Sequence, residues 1–146
     1  MSTNVPPLNG DRNGVFRIVI HGNSGTGKTT LSDRLGQVLN LPVIHLDEIH
    51  WRPNWTEAPD EEMVEELRVI IERGKASNTG WIVDGNYENC TKRIMDFEAT
   101  DLISRSRYLP RFEEDKALDG GKWRRLGDID EQQKWLEGVQ RHIKTS

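Results

Sequence analysis

The sequence predicts an α/β fold, a parallel sheet with helices on its faces. Three observations predict it. Short apolar runs of strand length recur at residues 15–20, 42–47 and 81–84. Stretches with helical spacing separate them: Leu31, Leu35, Val38 and Leu39 after the first run, and Met63, Val64, Leu67, Ile70 and Ile71 after the second. A glycine-rich turn joins the first run to the first helix. Strands that alternate with helices form parallel sheets, because each helix carries the chain back across the sheet.

The chain of 146 residues fits one domain. Hydrophobic residues make up 34% and charged residues 30%, and with 13 glycines the apolar share approaches the globular norm, which excludes a disordered or fibrous chain. No apolar run is long enough to span a bilayer. The opening residues, MSTNVPPLNGDRNG, lack the basic-then-apolar pattern of a secretion signal. A single cysteine, Cys90, excludes an internal disulfide framework and a cysteine zinc cluster. These features lead us to expect a reduced, cytoplasmic protein. Net charge is −4, with 10 Lys/Arg against 16 Asp/Glu in residues 1–103 and 10 against 8 in residues 104–146. An acidic whole argues against bulk nucleic-acid binding, which needs basic patches. The basic tail reads as a solvated charged face.

Taken in order, residues 1–14 are polar and rich in Pro, Gly and Asn, the composition of a flexible leader to a single domain over 15–146. Val15-Phe16-Arg17-Ile18-Val19-Ile20 suits a buried strand, and the helix after the glycine turn ends near Asn40. Pro42-Val43-Ile44-His45-Leu46-Asp47 is a second strand ending on an acid. A tryptophan-bearing loop, His50 to Trp55, precedes an amphipathic helix bounded by Pro59 and Gly74. Trp81-Ile82-Val83-Asp84 is a third strand, again ending on an acid. A fourth strand is available at residues 99–103, but Ser104-Arg105-Ser106-Arg107 puts charge where a central parallel strand stays apolar. Residues 112–127 hold few apolar side chains and a Gly120-Gly121 break, so a loop is expected and no fifth strand. Asp128 with Glu131 resembles a capping box, and Leu136, Val139 and Ile143 form the stripe of a terminal helix. The C-terminal part of the sheet is thus expected to be incomplete, with 104–146 irregular up to that helix.

The glycine turn carries the most specific chemistry. Gly22-Asn23-Ser24-Gly25-Thr26-Gly27-Lys28-Thr29 fits G-x-x-x-x-G-K-[ST], with Thr30 following. Backbone N–H groups that curl round a phosphate leave no room for bulky side chains, and a helix N-terminus adds its positive dipole end. Lys28 is placed to reach the β- and γ-phosphates, and the Thr29 hydroxyl to ligate Mg²⁺. Both the strand before and the helix after, which the motif demands, are present. The chain therefore reads as a P-loop NTPase-type three-layer sandwich with a phosphate-binding loop.

Two acids stand where such a sheet binds ligand, at the carboxyl ends of strands. Asp84 has the form of the acid that holds Mg²⁺ beside the phosphate loop; the alternative is an acid that only marks a strand end. Asp47 is placed to bind an acceptor hydroxyl or take its proton, with a turn-capping role as the alternative. His21, His45 and His50 fall on separate elements without metal-ligand spacing. Trp51 and Trp55 are either stacking surfaces for a planar ligand or partly buried loop anchors.

The loop motif, Leu41-Pro42-Val43-Ile44-His45-Leu46-Asp47, Trp51-Arg52-Pro53-Asn54-Trp55 and Trp81-Ile82-Val83-Asp84-Gly85-Asn86-Tyr87 together resemble the adenylate-kinase-related P-loop proteins described as DNA topology modulation proteins, over residues 15–103. The resemblance implies a nucleoside- or nucleotide-kinase-like fold with parallel strand order 2-3-1-4-5 and ATP as donor. It places Lys28 and Thr29 on phosphates and metal and Asp84 close to metal and acceptor. Asp47, Trp51, Asn86 and Tyr87 would then face the acceptor, and Arg93 would contact a phosphate. Similar proteins have an arginine-rich lid after Leu-Pro-Arg. Here Leu109-Pro110-Arg111 is present, and Arg105, Arg107, Arg111, Arg124 and Arg125 are the candidates for a shortened lid.

The leading expectation is a small kinase that transfers the γ-phosphoryl of ATP, with Mg²⁺, to a small hydroxyl or phosphate acceptor. Lys28, Asp47 and Asp84 are its expected catalytic residues. The alternative is a nucleotide-binding module with little or no turnover, motivated by a fourth strand, a lid and a fifth strand that are degraded or missing. Nucleic-acid association rests only on the family description and the basic tail.

Overall fold

In the computed structural model the described residues are 7–21, 28–46, 48, 51–52, 56–57, 60–85, 98–105, 123–126 and 128–145. Strand β1 (Arg17–His21) leads to helix α1 (Lys28–Leu39) and strand β2 (Val43–His45). Two short strands follow, β3 (Trp51–Arg52) and β4 (Thr56–Glu57), then helix α2 (Asp60–Ser77) and strand β5 (Trp81–Asp84). Strands β6 (Asp101–Ser104) and β7 (Trp123–Arg125) precede helix α3 (Ile129–Thr145).

Five strands form one parallel sheet in the order β2-β5-β1-β6-β7, while β3 and β4 pair antiparallel on their own. Counted along the chain within the large sheet, this is the order 2-3-1-4-5. The expected gap at its C-terminal side is not there. Leu102 pairs with Trp123, Ile103 with Arg124 and Ser104 with Arg125. The fifth strand escapes sequence reading because it is a three-residue edge strand with two arginines. Charge is tolerated, even useful, on an edge that must not pair with another chain.

Each central strand is apolar on both sides, as a doubly covered parallel sheet requires. Val19, Trp81, Val83 and Leu102 point to one face, where Leu67 and Ile71 of α2 cover them. Ile18, Ile20, Ile82 and Ile103 point to the other, against Leu31 and Leu35 of α1 and Leu136 and Val139 of α3. The period-2 alternation of β-strands thus feeds two cores from one sheet. At the start of β5 the backbones nearly touch: a Cβ on Gly80 would lie 1.8 Å from the Phe16 carbonyl oxygen, so no other residue fits.

Two helices end alike. Asn40 and Asn78 take φ of 55° and 53°, and the amides of Leu41 and Thr79 donate back to the carbonyls of Gly36 (3.1 Å) and Gly74 (2.9 Å). This is the closure in which a left-handed residue turns the chain off the helix, with asparagine in glycine's place. Helix α2 consequently runs three residues beyond Gly74, the stop expected from sequence. At the other end of α3, Asp128 Oδ1 accepts the Glu131 amide at 2.8 Å, the capping contact that its spacing suggested.

Residues 7–14 depart from the expected leader. Leu8 is 2% exposed and packs into the α1–α3 core. The fully buried Asp101 carboxylate accepts the amides of Asn9 (2.6 Å) and Gly10 (3.0 Å), and Thr100 Oγ1 at 2.7 Å. Arg124 Nη2 donates to Asn9 Oδ1 at 2.9 Å, and Trp135 Nε1 to the Pro7 carbonyl at 3.0 Å. A polar composition suggested flexibility, but a buried carboxylate must find donors, and the backbone of this segment supplies them. Residues 1–6 lie outside the described residues.

The charge after β6 has a structural role. Arg105 is 5% exposed, and its Nη1 donates to the carbonyls of Leu126 (2.6 Å) and Asp128 (2.9 Å). It ties the exit of β7 to the start of α3, so it is not a lid arginine. Arg124 is likewise committed, to Asn9, at the opposite end of the sheet. Arg107 and Arg111 lie outside the described residues.

Candidate functional site

The carboxyl ends of β1, β2 and β5 converge on the first turns of α1. Strand β1 ends at His21 and α1 starts at Lys28; residues 22–27 of the glycine turn between them lie outside the described residues. The first turn of α1 contains no acidic residue, so the positive end of its dipole meets no carboxylate of its own helix. Thr29 and Thr30 are exposed there.

Asp84 is the buried acid of this edge, 2% exposed, and pairs in register with Ile20 of β1 and His45 of β2. Two side chains meet its Oδ2. Ser32 Oγ donates to it from the second turn of α1 and also lies 3.1 Å from the Thr29 carbonyl. His45 Nδ1 meets the same oxygen from β2. His45 Nε2 in turn meets Asp33 Oδ1 at 3.0 Å. An imidazole between two carboxylates donates to both when protonated. Burial works against charge on this ring, but the carboxylates of Asp84 and Asp33 outweigh it, and the His45 pKa is raised above its ordinary 6.5.

Strand β5 leaves this site through Gly85, at φ 155°. A Cβ there would lie 2.6 Å and 2.7 Å from Cδ1 and Cβ of Leu46. The Gly85 amide donates to the Ile20 carbonyl at 3.1 Å. The Asp-Gly pair thus combines a fixed carboxylate with a backbone that turns tightly past β2.

Of the residues singled out from sequence, Asp84 and the start of α1 (Lys28, Thr29, Thr30) share this edge. Trp51 lies in β3, paired with Glu57. Gly22, Asn23, Ser24, Gly25, Thr26, Gly27, Asp47, Asn86, Tyr87 and Arg93 lie outside the described residues. Sequence reading missed Ser32, Asp33 and His45. The signal for His45 was its place: it is the last residue of an otherwise apolar strand, one strand over from Asp84. Ser32 and Asp33 look like ordinary polar positions of a helix.

Among the described residues, no group of three or more His, Cys, Asp or Glu side chains is arranged to hold a metal ion by itself. A buried carboxylate beside a helix N-terminus fits the other way of holding Mg²⁺, through one or two carboxylates together with phosphate oxygens and water.

Solved structures share this architecture. A sugar kinase from Janibacter sp. HTCC2649 superposes with a TM-score of 0.54 at 16% identity, over 89% of this chain and 93% of that one. A gluconokinase from Sinorhizobium meliloti 1021 does so with a TM-score of 0.52 at 15% identity, over 89% and 94%. The chain shares their α/β fold, a five-stranded parallel sheet with helices on its faces. No protein-family model matches the sequence, and no curated protein does. Among the described residues, no helix is long and apolar enough to cross a membrane.

Proposed function

We propose that this chain is a small cytoplasmic ATP-dependent kinase that phosphorylates a small-molecule hydroxyl or phosphate acceptor. The observation that carries the reading is the join of β1 to α1 through G-x-x-x-x-G-K-[ST], with buried Asp84 on the adjacent strand at the same edge. The kinases of the same fold support it. So does the complete five-strand sheet, which answers the part of the alternative reading that rested on the fourth and fifth strands; the residues expected to form a lid between them, 106–122, lie outside the described residues.

In this reading the backbone of residues 22–27 and the first turn of α1 hold the ATP phosphates. Lys28 sets its positive charge against the β- and γ-phosphates, and Thr29 and Asp84 hold Mg²⁺. Bound Mg²⁺ neutralises charge on the transferring phosphoryl group. An acceptor oxygen attacks the γ-phosphorus, the bond to the β-phosphate oxygen breaks, and ADP departs. Asp47 takes the proton of a hydroxyl acceptor. The sequence resemblance to adenylate-kinase-related proteins guides the acceptor side, where we assign Trp51, Asn86, Tyr87 and Arg93.

The test is calorimetric titration of Mg²⁺·ATP, with Lys28→Ala as control, followed by an ADP-release screen over sugars, sugar acids, nucleosides and nucleotides. Binding to the wild type and a loss of at least about tenfold in the variant, some 1.4 kcal/mol, are expected, with ADP released above background for at least one acceptor. A folded wild type that binds no Mg²⁺·ATP ends the kinase reading.

A further inference from the structure

We propose that His45 is a positioning residue for Asp84: with Ser32 it fixes the rotation of the carboxylate, and this orientation sets how strongly Mg²⁺ assists ATP binding. The proposal rests on the reading of Asp84 as the metal-side acid of an ATP site.

The geometry points to it in three ways. First, both contacts fall on one oxygen. Ser32 Oγ and His45 Nδ1 meet Asp84 Oδ2, and among the described residues neither touches Oδ1. A carboxylate held by two donors on the same oxygen cannot spin about its Cβ–Cγ bond without breaking both. Second, the donors come from different elements, α1 and β2, while the acid belongs to β5. The carboxylate is therefore fixed against the frame of the whole edge and not against its own strand alone. Third, the ring that holds it is itself held. His45 Nε2 meets Asp33 Oδ1 at 3.0 Å, and Asp33 follows Ser32 on the same helix. The loop of contacts closes on itself: Ser32 to Asp84, Asp84 to His45, His45 to Asp33. Outer partners that orient a ligating side chain in this way typically change metal affinity by about 10–100-fold when removed.

A different role is available to the same residues. Burying Asp84 requires donors whatever its function, and His45 would then serve stability only. The two roles separate by experiment. An Asn side chain presents its amide near the position of Nδ1 and keeps the donor to Asp84. A Gln side chain reaches the position of Nε2 and keeps only the side facing Asp33. Calorimetry of the full-length protein with ATP, in Mg²⁺ and in excess chelator, gives the enhancement of affinity due to the metal for wild type, His45→Ala, His45→Asn and His45→Gln. Thermal unfolding confirms that each variant is folded.

The expected result is that His45→Ala and His45→Gln lose at least about tenfold of the Mg²⁺ enhancement and His45→Asn recovers most of it. A purely structural role would instead weaken binding with and without metal together, or track melting temperature alone. If His45→Ala does not fold, the Asn–Gln comparison carries the test. Variants that retain the wild-type enhancement, or an Asn variant as impaired as Gln, overturn the proposal while the kinase reading stands. A wild type that binds no ATP removes the kinase reading itself.

Discussion

Asp11 shows how a single side chain organises the approach to β1. Its Oδ1 accepts the amides of Asn13 (2.8 Å) and Val15 (2.9 Å), and its Oδ2 accepts Arg17 Nη1 at 2.9 Å. The Val15 amide is the largest influence holding its pKa below the ordinary 3.8, with the Arg17 and Asn13 contacts adding to it and burial opposing. A carboxylate whose folded value is depressed stabilises the fold above its unfolded pKa, and that contribution fades as pH falls through the folded value. Asp11→Asn is therefore expected to be less stable than wild type from about pH 7 down to about pH 5. The gap should narrow below about pH 4 as the wild-type carboxylate protonates. Urea unfolding of both proteins across this range measures it; a gap that widens on acidification would contradict the assignment. Residue-scale chemistry of this kind is only half visible in sequence. The glycine turn and Asp84 announce themselves by motif, whereas Ser32 and His45 matter because the fold makes them neighbours of that acid.

Among the elements, the segment before β1 has the clearest energetic signature. Leu8 is one of the most completely buried side chains of the molecule and packs among residues of α1 and α3. Leu8→Ala is expected to cost about 2–5 kcal/mol, the range for removing a buried leucine and leaving a cavity. The denaturation midpoint should fall with the slope unchanged, because the surface exposed on unfolding is nearly the same. A cost under about 0.5 kcal/mol, typical of a surface site, would mean that the segment is not docked in solution. Elements with strong periodicity were legible beforehand: β1, α1, β5, α2 and α3 all follow from apolar spacing. The segment at 7–14 and strand β7 were not, because a polar run and Trp-Arg-Arg carry no apolar pattern. Their place is set by long-range partners, Asp101 for the first and β6 for the second. Gly74 misled in the opposite direction, since Asn78 is the residue that ends α2.

For the molecule as a whole, the strand order brings the centre of the sheet and the candidate site together. Strands β1 and β5 are flanked on both sides, and their carboxyl ends carry the glycine turn and Asp84. A ligand gripped there bears on the most buried strands, so its binding energy should appear as global stability. With Mg²⁺·ATP at 100 times its dissociation constant, the linkage relation gives about 2.7 kcal/mol of stabilisation. For a domain of this size that is an upward shift of the melting temperature of roughly 5–10 °C. Differential scanning calorimetry should show the shift in wild type and not in Lys28→Ala. An equal shift in both would place nucleotide binding elsewhere on the molecule.

The docking of residues 7–14 also has a consequence in time. Leu8 shares its core with Leu126, Leu136 and Val139, and the indole of Trp135 reaches back to Pro7. At about 5–20 residues per second a ribosome delivers these partners roughly 6 to 26 seconds apart, but always in one order. Until α3 has emerged, one face of β1 has its own helix α1 and nothing beside it, and Leu8 has no pocket. Closing contacts across nearly the full chain also carries a loop entropy that local helix formation does not. The early residues therefore wait for the late ones. The α2 side of the sheet, whose partners Leu67, Trp81 and Leu102 are all made earlier, can assemble first and serve as the template on which the first and last segments of the chain meet.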